Sequence, residues 1–192
     1  MSDATQSDEA LMQSFARGNA AAFEVLYGRH ESRVWRYLCR NVRDPETARE
    51  LMQDVWFAVA RSAARYRPTA RFTTWLYTLA HHRMVDAFRA RRAHVSLDQS
   101  PDGDEDPGLL GQLAADPATE PAVRAESADD GARLLRAVAC LPEEQRTAFL
   151  LKAEAELSVE EIATVTGTTF ETAKSRLRYA RTKLRELLAE TA

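Results

Sequence analysis

LSVEEIATVTGTTFETAKSRLRYARTKL, residues 157–184, decides how the C-terminal part of this chain folds. Ser158 with Glu161 three residues on is a capping box, so a helix starts there. Ile162, Ala163 and Val165 form the inner face of a short helix, and Ala163 is small enough to let a second helix cross closely. Gly167 supplies the positive φ of a tight inter-helix turn. Thr168 or Thr169 then opens a longer helix to about Leu188, with Phe170, Ala173, Leu177 and Leu184 inward. Its other face carries Lys174, Ser175, Arg178 and Arg181, with Arg176, Lys183 and Arg185 beside it. Residues 169–185 hold six basic residues against one acid, Glu171. On a basic helix alone, a solvated cationic face is the plainer reading. The capped helix and glycine turn immediately upstream favour a recognition helix, whose donors reach base edges while flanking cations neutralise phosphates.

Working outward, Leu141-Pro142-Glu143-Glu144 opens a further helix through Phe149 and Leu150, and helical spacing begins near Arg133 with Leu134, Leu135 and Val138. From Ser96 to Asp130 the periodicity is lost amid Pro101, Pro107, Pro117 and Pro121, three glycines and many acids, which predicts a flexible linker with at most a turn of helix near 109–115. Towards the N-terminus four more helices are expected. One starts at Ser7, one at Asn19 and one at Asp44-Pro45, an N-cap carboxylate followed by proline at the first helical position. The fourth is capped by Thr73 or Thr74 after a loop over 65–72 (RYRPTARF). The expected architecture is all-α, two small helical domains at 8–93 and 132–190 joined by an acidic linker at 94–131, with residues 1–7 disordered.

Net charge is −3, which taken alone argues against a nucleic-acid partner. Residues 98–130, however, hold ten acids and one base; with −9 there and −3 in total, the rest of the chain carries +6. Between 61 and 92 stand eight arginines and one acid, Asp86, interleaved with Tyr66, Phe72, Trp75, Tyr77, His81, His82 and Phe88. Arginines with aromatics around a proline loop suit unstacked single-stranded bases, which stack on rings while guanidiniums hold the backbone. Helical spacing assigns Trp75, Tyr77 and Phe88 to the core; Tyr66 and Phe72, flanking the loop, fit core or DNA contact equally. Helix 44–60 presents Glu50, Gln53 and Asp54 beside Leu51 and Met52, a mixed acidic and apolar stripe that suits a basic partner helix.

Several classes are excluded. The polar, acidic MSDATQSDEA is no signal peptide, and no apolar run approaches the roughly 20 residues of a membrane span, so a cytoplasmic chain without membrane insertion is expected. Cys39 and Cys140 form neither a disulfide framework nor a metal cluster. His81 and His82 are adjacent and point to different sides of a helix, so no metal and no cofactor are expected. There is no Gly-rich phosphate loop, GxSxG, HExxH or Cys/His dyad, hence no catalytic residue and no enzyme. A helix-turn-helix regulator with an N-terminal sensor domain is the alternative that needs no polymerase.

The order of features resembles the extracytoplasmic-function, or group IV, sigma factors of the sigma-70 family, which consist of a region-2 and a region-4 domain joined by a linker. DPETARELMQDVWFAVAR (44–61) resembles the family's region 2.2, implying that Glu50, Leu51, Met52, Gln53 and Asp54 dock on the β′ clamp helices of core RNA polymerase. RPTARFTTWLYTLAHH (67–82) resembles its RGDSSFRTWLYRIARN-type stretch. This implies −10 contacts by Arg67, Arg71, Phe72 and Thr73 in a base-capturing loop, and by His82, Arg83, Asp86 and Arg89 on the following helix. TAKSRLRYAR (172–181) resembles its recognition helix, implying −35 contacts by Lys174, Ser175, Arg176, Arg178, Tyr179 and Arg181. The resemblance further implies promoter DNA, the polymerase β flap and an anti-sigma factor as partners.

Overall fold

Short polar side chains start several of the helices of the computed structural model, which describes residues 6–42, 44–95 and 121–189. Ser7 accepts the N–H of Ala10 at 3.2 Å and opens α1 (Asp8–Ala16). α2 (Ala20–Val42) follows Gly18, whose φ is +100°. Asp44 accepts the N–H groups of Glu46 and Thr47 at 3.4 and 3.0 Å, with Pro45 first in α3 (Pro45–Ser62). A 3-10 turn, Ala63–Arg65, and an irregular stretch then lead to α4 (Phe72–Val95).

The start of α4 departs from the expected Thr73 or Thr74 cap. The helix begins at Phe72, and its N–H is taken at 2.7 Å by the carboxylate of Glu9, 63 positions earlier on α1. A tertiary cap of this kind leaves no local mark in sequence. α1 is itself held by Asp8, which accepts Arg29 at 2.6 Å and meets His30 Nε2 at 2.7 Å. Burial alone would raise the Asp8 carboxyl; hydrogen bonds from His30 and Arg29 more than offset it and bring the group below its ordinary value.

The second module comprises α5 (Pro121–Ala139), α6 (Glu143–Ala155), α7 (Val159–Thr166) and α8 (Phe170–Ala189). α5 begins about twelve residues before the expected start near Arg133, and so enters the segment read as linker; α4 likewise extends past 93. Proline at the first helical position followed by alanine-rich sequence supplies helix propensity that the acids of this stretch concealed. The disorder expected of 1–5 and the rest of the expected linker, 96–120, fall outside the described residues.

α1–α4 pack around Tyr37, Tyr77, Phe72, Leu26 and Leu38; α6–α8 pack around Leu150, Leu151, Leu157 and Ile162. The two cores join. α2 lies against α6 and α4 against α7. Between them Arg36 and Arg40 of α2 both reach Glu154, Arg146 donates to the Asn41 carbonyl at 3.2 Å, and Thr74 donates to Glu161 at 2.7 Å.

Candidate nucleic-acid interface

The helix-turn-helix is built as its sequence requires. Ser158 Oγ accepts the Glu161 N–H at 3.2 Å while the Glu161 carboxylate accepts the Ser158 N–H at 2.8 Å. Gly167 turns the chain at φ +61°, and Thr169 Oγ accepts the Thr172 N–H at 3.2 Å to start α8. Ala173, Leu177, Ala180 and Leu184 bury one side of α8. Phe170, expected inward, lies at the first residue of the helix and is 40% exposed, with the Lys174 ammonium 5.7 Å from its ring.

The opposite side of α8 exposes Lys174, Arg178, Tyr179 and Arg181, and Arg178 stacks on the Tyr179 ring at 4.9 Å. Ser175 is half-buried at its border. Arg176 behaves differently: it is half-buried and pairs with Glu144 at 2.7 Å across an open groove lined by Glu143, Glu144 and Glu171. Glu143 and Glu144 repel phosphate there, whereas on the neighbouring stripe Lys174, Arg178 and Arg181 outnumber Glu171, which lies 3.7 Å from Lys174, so that stripe is the DNA-compatible side of α8.

In the N-terminal module Arg67 and Arg71 stand exposed on the loop before α4, and Thr73 is half-buried in its first turn. Phe72 is not available to DNA: it is 0% exposed, with Tyr66, Trp75 and His30 rings 6.3, 5.7 and 5.3 Å away. Tyr66 is buried with it, which settles both open assignments as core. Farther along α4, His82, Asp86 and Arg89 are exposed and Arg83 half-buried, with Arg89 3.9 Å from Asp86. His81 turns inward instead, its Nδ1 3.3 Å from the Tyr37 hydroxyl; burial, His82 and Arg176 lower its pKa to about 4, so the ring is neutral near pH 7.

Arg71 and Thr74 share a carboxylate from the other module. Glu161 accepts from Thr74 at 2.7 Å and lies 3.6 Å from Arg71. Burial would raise its pKa, yet the Ser158 N–H, the Thr74 hydroxyl and Arg71 together hold it below the ordinary glutamate value, so it is ionised.

On α3, Glu50, Gln53 and Asp54 are exposed and Met52 half-buried, but Leu51 is 4% exposed and belongs to the core. Its place on the outer face is taken by Phe57, 63% exposed, one turn beyond Gln53 and Asp54. The signal was an aromatic out of phase with the buried Ala48, Leu51, Val55 and Val59. Among the described residues no three His, Cys, Asp or Glu side chains converge as metal ligands, and no helix is long and apolar enough to cross a membrane.

Comparison with known proteins finds one family match within each module. Residues 26–94 match the Sigma-70 region 2 family and residues 131–184 the Sigma-70, region 4 family. The chain is 35% identical over 179 residues to the RNA polymerase sigma factor CarQ of Myxococcus xanthus, covering 93% of this chain and 96% of that one. It is 30% identical over 184 residues to the ECF RNA polymerase sigma factor SigK of Mycolicibacterium vanbaalenii, covering 94% and 88%. Among solved structures, CnrH in complex with the cytosolic domain of CnrY superposes with a TM-score of 0.67 at 23% identity, over 97% of this chain and 100% of that one.

Proposed function

This chain belongs to the extracytoplasmic-function branch of the sigma-70 family, and from that premise we propose how its two modules divide the work of promoter-specific transcription initiation with core RNA polymerase. The outer side of α8 enters the −35 major groove, with Lys174, Ser175, Arg178 and Tyr179 at base edges and Arg181 on phosphate. The loop before α4 and the exposed side of that helix (Arg67, Arg71, Thr73, His82, Arg83, Asp86, Arg89) hold the −10 strand once its bases leave the stack. Trapping that minor open state shifts the melting equilibrium towards it, so reading and opening are one event. Polymerase supplies all catalysis; the chain is no enzyme. Glu50, Met52, Gln53 and Asp54, now with Phe57 as the apolar anchor, dock on the β′ clamp helices, and the region-4 module meets the β flap. The protein works in the cytoplasm and is held inactive by an anti-sigma factor, a reading supported by the solved complex of the sigma factor RpoE with the anti-sigma factor NepR from Bartonella quintana.

The observation that carries the reading is the pairing of two separately built cationic surfaces, one on a capped recognition helix and one around a loop, within a single chain. Pull-down of core polymerase followed by run-off transcription on a randomised promoter pool tests it. Selection of a two-element promoter is expected; capture of duplex DNA without any polymerase association would instead identify a free-standing regulator.

A further inference from the structure

Three carboxylates of the C-terminal module tie it to the N-terminal one: Glu156, exposed and 3.2 Å from Arg33, Glu154, and Glu161, which sits on the reading loop. Glu154 of α6, 7% exposed, receives Arg36 Nε at 2.8 Å and the Arg40 guanidinium, both from α2. Beside it Thr147 donates to the Asn41 side-chain oxygen at 2.9 Å. Glu161 of α7 takes the Thr74 hydroxyl and faces the Arg71 guanidinium, and with α7 in place Thr74 is 4% exposed. A guanidinium and a hydroxyl converging on one anion is the donor set that DNA-binding proteins offer to a backbone phosphate.

We propose that Glu161 is an internal stand-in for a promoter-strand phosphate: in the closed chain it occupies Arg71 and Thr74, and a DNA phosphate takes those donors when the modules part. This rests on the reading of the N-terminal module as the −10 strand binder, and adds to it Thr74 as a phosphate contact and a built-in competitor. Parting is a geometric necessity. Elements centred at −10 and −35 lie about 85 Å apart at roughly 3.4 Å per base pair, whereas here the two reading modules touch at 2.7 Å. Glu154, clamped by two arginines, is the latch that sets the balance, and DNA affinity of the free chain scales with the open fraction.

The test uses the full chain without polymerase, titrated with a short fluorescein-labelled single strand of mixed sequence, with small-angle scattering in parallel. E154Q weakens the latch and leaves the donors and the α7 capping box intact; E161Q removes the competing charge while its amide oxygen still accepts from Ser158. Each is expected to tighten binding about tenfold, E154Q with an expanded particle, and T74V or R71A added to E154Q is expected to abolish the gain. An E161Q affinity within twofold of the parent, whatever E154Q does to the particle, would overturn the proposal. A separate arm measures promoter opening by holoenzyme. If R71A and T74V leave opening unchanged there, the −10 reading itself fails; if they slow it while E161Q leaves free-chain affinity unchanged, only the stand-in fails.

Discussion

Replacing Glu9 by alanine removes the cap that joins α1 to the reading loop, and the cost can be worked from the structure. Phe72 is wholly buried, so its N–H loses its partner in a largely closed site once the carboxylate 2.7 Å away is gone. An unmade buried hydrogen bond costs about 1–3 kcal/mol, and an anion lost from a helix N-terminus about 0.3–1 kcal/mol more. A loss of about 2 kcal/mol is expected for E9A, and less than half of it for E9Q, whose amide oxygen still accepts. In urea, with a slope of about 2–3 kcal/mol per molar, the E9A midpoint falls by roughly 0.7–1 M. Hydrogen exchange should locate the damage: the amides of Phe72 and the next three residues speed up about thirtyfold, and those of α8 by less. An E9A midpoint within about 0.2 M of the parent, or E9Q as damaged as E9A, would refute the tertiary-cap argument.

Other substitutions separate core from surface. F72A should destabilise by about 3–5 kcal/mol through the cavity it leaves, whereas F57A should change stability by less than about 0.5 kcal/mol and weaken capture of core polymerase; thermal melts and pull-down measure both. G167A meets no atom within 4 Å of its added Cβ, so its cost is that of the positive φ alone, about 1–2 kcal/mol, and G167N should cost less in the same urea assay. His81 gives a pH signature. Its value in the folded chain, about 4, lies below the ordinary 6.5, so the unfolded chain takes up a proton that the folded one refuses. Stability is therefore complete above pH 6.5 and is lost as pH falls towards 4, by at most about 3 kcal/mol less what solvent returns to the half-buried ring. H81Q should flatten that slope relative to the parent.

The helix-turn-helix was legible because its determinants are local: a capping box, a glycine and a cationic face all lie within residues 157–184. So, among the described residues, were eight α-helices arranged four and four. What escaped depends on partners distant in sequence. The cap of α4 comes from Glu9, and Phe72 is buried because Tyr66, Trp75 and His30 close over it. Arg176 matched the recognition pattern, yet Glu144, a helix away, draws it aside. The burial of Leu51 escaped because an amphipathic helix read without its neighbours leaves the boundary of its buried face uncertain by about one residue's rotation, and nothing was expected of Phe57. The contact between modules, through Glu154 and Glu161, had no sequence signal, since acids on exposed-looking helices are ordinarily solvated.

The most direct test of the account is permanganate probing of unpaired thymines on a promoter selected from the randomised pool, with core polymerase and with core polymerase plus this chain. Reactive thymines near −10 are predicted only when the chain is present, and fewer of them when Arg67 and Arg71 are replaced by alanine. Identical reactivity with and without the chain, together with identical transcripts, would contradict it.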